Sequence, residues 1–373
     1  MKLLYVASNL AIHGGIERVL TDKLNWLVEH GDCEVCLLLA NQGEEPIVFP
    51  LNSKVEYHDL SILFHHIYRY SGLKRFLLFL RLHHLFRQRI TDYIQSFIPD
   101  IIICTKMEFI CDVKNVSGEI PVVYEAHNTF LAYKFEKYSW LQRLQMISWH
   151  RALKKVQMIV ALTKGDAIEW KRINSHVQVI PNVVHLNKTN CYSNCCSKSV
   201  ISVGRFSFQK DYHSLLQVWN LVSQRYADWQ LNIYGGYGEQ LDKLQSDIAK
   251  SGANIVVHNP ISPINDEYIK NSLLLMTSRF EPFGLVLPEA MSCGLPVVAF
   301  DCPYGPSDII TDGVDGFLVS NRDINSFANK VCQLLENDDL RRKIGQAGVK
   351  SSQRYDACHV MPQWIRMFNE LIN

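Results

Sequence analysis

Two glutamates frame the stretch RFEPFGLVLPEA at residues 279–290. Glu281 stands before a Pro-Phe-Gly turn, and Glu289 follows eight positions on, inside an apolar run of helical character. That run ends at Gly294, a natural helix stop, and Pro296 opens the next extended segment. Gly284 therefore falls near a helix N-terminus, where free amides and the helix dipole favour an anion such as phosphate. A carboxylate beside such a site does not hold phosphate; it accepts hydroxyl groups, as on a ribose or a sugar. A second stretch, VGRFSFQKD at 203–211, ends a strand at Gly204, which lets backbone approach a ligand closely. Arg205 and Lys210 follow in the loop, and two cations at a strand end fit a diphosphate better than a single carboxylate. Taken alone, that pair would read as a solvated surface pair. A third stretch, SNLAIHGGIERVL at 8–20, turns through Gly14-Gly15 into a helix without the G-x-G-x-x-G dinucleotide fingerprint.

Groups scattered this far apart need a scaffold that converges them. Continuous apolar runs at 2–8, 34–40, 100–105, 122–127 and 158–163 suit strands buried on both faces of a parallel sheet. Helical patterns lie between them near 15–30, 71–97, 137–156 and 164–172. Residues 184–198 are polar and patternless and read as a linker, after which the alternation restarts with strands at 199–205, 229–235, 254–260, 273–278 and 296–301. The fold class is α/β, with two successive Rossmann-like parallel-sheet domains. Ligands of such sheets bind beyond the carboxyl ends of the strands, which for two domains means a cleft that both face.

The bulk composition narrows the function. The chain has 373 residues, 47% hydrophobic and 20% charged, with 38 Lys+Arg against 37 Asp+Glu and a net charge of +1. Such a balance argues against nucleic-acid binding, which needs a basic excess. No apolar run reaches the length of a membrane span. The amino terminus reads as a first strand rather than an export signal, so the eleven cysteines read as reduced thiols of a cytoplasmic protein. Cys191, Cys195 and Cys196 cluster without a common zinc spacing, and no metal site is expected. The basic, aromatic segment 71–100 reads first as a core helix with a basic outer face. A helix lying on the inner face of the cytoplasmic membrane is the second reading, and peripheral contact through 71–97 is compatible with both.

The ordered set of E-x7-E at 281–289, VGRFSFQKD, the amino-terminal Gly-Gly and GVDGFLV at 313–319 resembles the retaining glycosyltransferases of family 4, which have the GT-B fold. The resemblance runs from Met1 to the last helix and is stronger in the carboxyl domain. It implies an acceptor-side domain at 1–183, joined by a carboxyl-terminal helix 357–373 that crosses back to it, and a nucleotide-sugar-binding domain at 184–356. It implies that Arg205 and Lys210 bind the donor diphosphate, that Glu289 holds the ribose, and that Glu281 orients the transferred sugar with the backbone around Phe283, Gly284 and Leu285. Gly15 and Gly204 would approach the donor closely, and His127, in YEAHN, would lie beside the donor sugar and the acceptor. The segment 300–319 leans towards UDP; Gly305-Pro306 reads as a turn, with Ser307 or Asp308 capping the next helix. No DxD triplet occurs, which argues against the metal-dependent GT-A type; the nucleotide sugar is a substrate, and no cofactor is implied.

The expected activity is retaining, metal-independent transfer of a hexose or N-acetylhexosamine from a UDP-sugar to a lipid-linked or polysaccharide acceptor in cell-surface glycan synthesis, such as lipopolysaccharide. A nucleotide-sugar epimerase of the same fold and a non-enzymatic α/β binding module are the alternatives.

Overall fold

The computed structural model describes residues 1–131, 140–189, 191–236 and 238–373. The chain folds as two units, Met1–Val183 with Ala357–Asn373, and Val184–Asp356.

The first unit holds seven parallel strands, β1 Lys2–Ala7, β2 Glu34–Leu39, β3 Glu56–Asp59, β4 Ile101–Cys104, β5 Val122–Glu125, β6 Met158–Ala161 and β7 Val177–Val179. Their spatial order is β3-β2-β1-β4-β5-β6-β7. The helices are α1 Gly15–His30, α2 Gly72–Phe97, α3 Ile110–Val116, α4 Trp140–Leu153 and α5 Lys164–Trp170. Residues 137–139 of the helix expected at 137–156 lie outside the described residues. Strands β1 and β4 are fully buried but for Lys2, because helices cover both faces of the sheet.

In the second unit six parallel strands run β10-β9-β8-β11-β12-β13 in space: β8 Ser199–Val203, β9 Gln230–Tyr234, β10 Ile255–His258, β11 Leu273–Met276, β12 Val297–Asp301 and β13 Phe317–Ser320. Between them lie α6 Tyr212–Ser223, α7 Leu241–Ser251, α8 Asn265–Lys270, α9 Val286–Ser292 and α10 Gly305–Ile309; α11 Ile324–Leu335 and α12 Asp338–Ser352 follow. The last helix, α13 Ala357–Ile372, packs on the first unit, burying Val360, Met361, Trp364, Met367 and Phe368 with Leu20, Leu24 and Leu27 of α1.

All ten expected strands are present. Three more, β3, β7 and β13, are short edge strands whose sequences EYHD, VQV and FLVS lack a long apolar run. Two expectations need correction. Ser307 and Asp308 do not cap a helix, because α10 already starts at Gly305 with Pro306 in its first turn, where a missing N–H costs nothing. Nor is the segment 184–198 a loose linker. Val184, Leu186 and Cys195 are buried, the Asn187 N–H donates to Ser292 Oγ at 3.0 Å, and the Ser193 N–H donates to the Cys293 carbonyl at 2.8 Å.

Arg341 of α12 holds that segment from below. Its side chain is 1% exposed and donates twice to the Cys195 carbonyl, at 2.9 and 2.8 Å, as well as to the Leu334 and Leu335 carbonyls. The three cysteines therefore serve no common site: Cys195 faces the interior while Cys191 and Cys196 are exposed. Removing the guanidinium takes away the side-chain donors of the Cys195 and Leu335 carbonyls, so Arg341→Met is expected to destabilise the second unit by about 2–4 kcal/mol. Chemical denaturation checks this; an unchanged midpoint would show that the segment is held by other contacts.

Candidate functional site

The strand order of the second unit reverses between β8 and β11, so the loops after these two neighbours diverge from a shared crevice at their carboxyl ends. The loop after β8 carries Gly204 to Asp211, and the loop after β11 carries Ser278 to Leu285. Topology thus brings Lys210 and Glu281 together from 71 residues apart: Lys210 Nζ donates to Glu281 Oε1 at 2.6 Å. Glu281 is only 4% exposed, and its carboxylate also accepts from Ser278 Oγ at 2.6 Å and Gln209 Nε2 at 3.5 Å. A buried carboxylate with a cation and a hydroxyl on one oxygen is fixed in direction.

The Lys210 stem lies across Gly204, where a Cβ would sit 3.0–3.2 Å from its methylenes. The Tyr212 hydroxyl donates to the Gly204 carbonyl at 2.7 Å and holds this loop from beneath. Arg205 stands exposed at the start of the loop. Asp211 closes it, accepting from Arg279 Nη2 at 2.8 Å and Ser214 Oγ at 2.8 Å.

The backbone of Glu281 is pinned too. Its N–H donates to the Pro303 carbonyl at 2.7 Å, and its carbonyl accepts from Tyr304 and Gly305 at 2.9 and 3.0 Å. A side chain at Gly305 would strike the Phe283 carbonyl, 1.8 Å from the ideal Cβ, so only glycine lets the two loops meet. Gly284, at φ +96°, makes the left-handed turn that leads through Leu285 into α9. That helix has seven residues, so its dipole is small beside the side-chain charges. Glu289 sits in its first turn, half-buried, and accepts from the Tyr268 hydroxyl at 3.2 Å. Burial, then the Glu289 charge, push the Tyr268 phenol well above its usual range, so it remains a donor.

In the first unit, His127 follows β5 and is 6% exposed. Its Nε2 lies 3.4 Å from Glu125 Oε1 but makes no well-formed hydrogen bond. Glu125 is paired with Lys23 of α1, and both are buried. The Lys23 ammonium also lies 4.0 Å from the ring centroid of Trp364 on α13. Burial lowers the Lys23 pKa against the pull of Glu125. Burial raises that of Glu125, but the Lys23 and His127 charges outweigh it and hold the carboxyl low. Burial brings His127 down to about 4, with Lys23 and Lys106 acting in the same direction and Glu125 against, so its imidazole is neutral at pH 7. Gly15 begins α1, with Gly14 as its cap.

Sequence reasoning named Lys210, Glu281, Glu289 and His127 but missed Lys23, Glu125, Ser278, Gln209 and Tyr268. Lys23 and Glu125 did leave a signal: each interrupts an apolar pattern, Lys23 within the stripe Leu20, Leu24, Leu27 and Glu125 at the end of VVYE. Among the described residues, Cys36, Glu56 and His58 come together with metal-ligand atoms. Burial pushes the Cys36 thiol up to about 12, with Glu56 and Glu34 adding to it.

Residues 13–188 match the model of Glycosyltransferase Family 4, and residues 196–351 match that of Glycosyl transferases group 1. Together the two models span most of the chain, and its two Rossmann-like units have the GT-B fold of glycosyltransferases. It is 26% identical, over 100% of its own length and 99% of the relative's, to the amylovoran biosynthesis glycosyltransferase AmsD of Erwinia amylovora. Several other curated relatives match about half of the chain, which there spans less than two thirds of the relative's length. Among solved structures, Staphylococcus aureus TarM in complex with fondaparinux, alpha-GlcNAc-glycerol and UDP superposes with a TM-score of 0.80 at 16% identity, over 99% of both chains. Anabaena HepE in complex with UDP-glucose superposes at 0.74 and 18% identity, over 99% of this chain and 100% of that one.

The depressed His127 pKa sets a pH dependence. An unfolded histidine titrates near 6.5, so between that pH and about 4 the unfolded chain binds more protons than the folded one. Stability is therefore expected to fall as the pH drops through this window, by up to about 1.4 kcal/mol per pH unit for this group. Asp166, raised to about 6 by burial, works in the opposite direction, so the readout is the difference between the wild type and His127→Asn. A stability difference that stays flat between pH 7 and pH 4.5 would show that the histidine is not held neutral by its burial.

Proposed function

We propose that this chain transfers a hexose or N-acetylhexosamine from a UDP-sugar to a hydroxyl of a lipid-linked or polysaccharide acceptor in cell-surface glycan synthesis, with retention at the anomeric carbon and without a metal ion. The observation that carries the proposal is the Lys210–Glu281 contact at 2.6 Å, held at the switch point of the second sheet. An ammonium group has three donors, and only one is occupied by Glu281. Lys210 can thus face a donor diphosphate while Glu281 faces the sugar attached to it.

The chemistry follows from charge. The bond from the anomeric carbon to the phosphate oxygen breaks, its electron pair stays on the diphosphate, and the acceptor oxygen bonds the anomeric carbon from the same face. The acceptor proton leaves with the departing phosphate. Negative charge grows on the diphosphate, where Arg205 and Lys210 meet it with preorganised positive charge. Glu289, with Tyr268 behind it, holds the ribose hydroxyls. Gly204, Phe283, Gly284 and Leu285 supply backbone close to the donor. UDP as the nucleotide is supported by the 300–319 resemblance and by the UDP in the complexes of TarM and HepE. Cell-surface glycan synthesis is supported by the amylovoran role in the name of AmsD.

Incubation with a panel of UDP-sugars in EDTA, with and without lipid extracts as acceptor, tests the assignment. Acceptor-dependent UDP release is expected; interconversion of the UDP-sugar without acceptor would make the protein an epimerase. Lys210→Ala or Arg205→Ala is expected to lower turnover about 100-fold or more, the effect of losing one charge-stabilising group. Near-normal turnover in both variants would remove them from the leaving-group site.

The two glutamates are expected to separate. Glu289→Gln weakens UDP itself, because an amide is a poorer acceptor for ribose hydroxyls. Glu281→Gln removes negative charge beside Lys210, so UDP binds as tightly as before or tighter while sugar transfer slows. Calorimetric UDP titration beside transfer rates distinguishes the two, and an equal loss of UDP affinity in both would refute the division of labour.

A further inference from the structure

Between Asp59 and Asp92 the chain has no acidic residue, yet it carries Arg69, Lys74, Arg75, Arg81, Arg87 and Arg89. A chain with a net charge of +1 has therefore gathered six cations without a counter-charge in one segment. Much of α2 lies in that segment. The helix has 26 residues and is about 39 Å long at 1.5 Å per residue. Its later turns are anchored by Phe86, Ile90 and Phe97, but none of the first ten residues is buried.

That free end is amphipathic in the opposite sense to a soluble helix. Leu73, Phe76, Leu77 and Leu80 fall at i, i+3, i+4 and i+7, so they form one stripe, and each is exposed, from 47% to 72%. Tyr68, at 72%, and Tyr70 extend the apolar surface into the preceding turn. Lys74 lies 4.1 Å from the Tyr70 ring centroid and Arg75 5.0 Å from that of Tyr68, so these rings pack along cationic side chains. Arg69, Lys74, Arg75 and Arg81 are exposed, and none is ion-paired among the described residues. Arg87, further on, is instead engaged with Asp112. Phe76 and Leu80 also line a cavity of about 1020 Å³ with Phe79 and Trp149, so the apolar surface continues inward.

We propose that the free end of α2, with the turn at 68–70, docks this protein on an anionic phospholipid bilayer, the leucines and Phe76 entering the acyl boundary and the four cations meeting the headgroups. Exposed apolar side chains in a line, flanked on the same helix by Lys74, Arg75 and Arg81, match that surface in both its layers. Among the described residues no helix is long and apolar enough to cross a membrane, so the contact is one of lying on the surface. The proposal is independent of the donor assignment.

Co-sedimentation of the full chain with vesicles of phosphatidylcholine, or of phosphatidylcholine mixed with phosphatidylglycerol, tests it. The wild type is expected to bind the mixed vesicles at least tenfold more tightly. Lys74→Glu with Arg75→Glu, and separately serine at Leu73, Phe76, Leu77 and Leu80, are each expected to lose at least tenfold of that binding, while Lys250→Glu on α7 retains it. All of these side chains are exposed, so an unchanged circular dichroism spectrum and unchanged UDP titration in the variants exclude misfolding. Equal binding to both vesicle types, no binding, or full binding by the serine variant would overturn the proposal. So would sedimentation velocity showing a wild-type dimer that dissolves in the serine variant, because the stripe would then be covered by a second copy of the chain. A wild type that binds vesicles but not UDP would overturn the donor assignment and leave this one standing.

Discussion

The second unit is organised around one buried carboxylate. Glu281 cannot lose water without a counter-charge, and Lys210 supplies it from the neighbouring strand end. Because the pair joins the loops after β8 and β11, each loop is held only when the other is in place. The Glu281 backbone then ties in the loop after β12 through Pro303, Tyr304 and Gly305. Three loops that are separate in sequence become one rigid platform. At Gly305 such close approach leaves no room for a side chain, and at Gly204 a Cβ would press on the Lys210 stem.

The first unit repeats the theme with a different purpose. Lys23 and Glu125 form an ion pair with both partners buried, and Trp364 covers the ammonium. Such a pair contributes little net stability, since desolvation offsets most of the attraction, but losing either partner leaves an uncompensated charge. Its consequence here is local: beside it, and deprived of water, His127 stays neutral. The last helix therefore does more than cover the sheet, because Trp364 closes the polar cluster beneath the histidine.

The helix α2 shows a mismatch of length. Its carboxyl-terminal turns belong to the core, while its amino-terminal turns extend past the surface that could bury them. The core reading of the segment 71–100 therefore describes only part of it. The core reading holds for Phe86, Ile90 and Phe97, and the amphipathic surface belongs to Leu73 to Leu80.

By itself, the sequence determined the class of fold, because a strand buried on both faces must be a continuous apolar run, and ten such runs alternate with helical periods. It also marked Lys210, Glu281 and Glu289, because charges next to glycine turns at strand ends have few structural uses. It did not reveal β3, β7 and β13, since an edge strand needs no apolar run. It did not show that 184–198 is anchored, since the partner of Cys195 is Arg341, 146 residues away. Only the tertiary structure decided that Lys210 and Glu281 touch, that Tyr268 supports Glu289, and that Lys23 meets Glu125. Each of these contacts depends on strand order, and strand order is set by packing between distant segments rather than by local pattern. The same holds for His127: its residue type was legible, but its neutral state comes from burial that only the assembled sheet and helices provide.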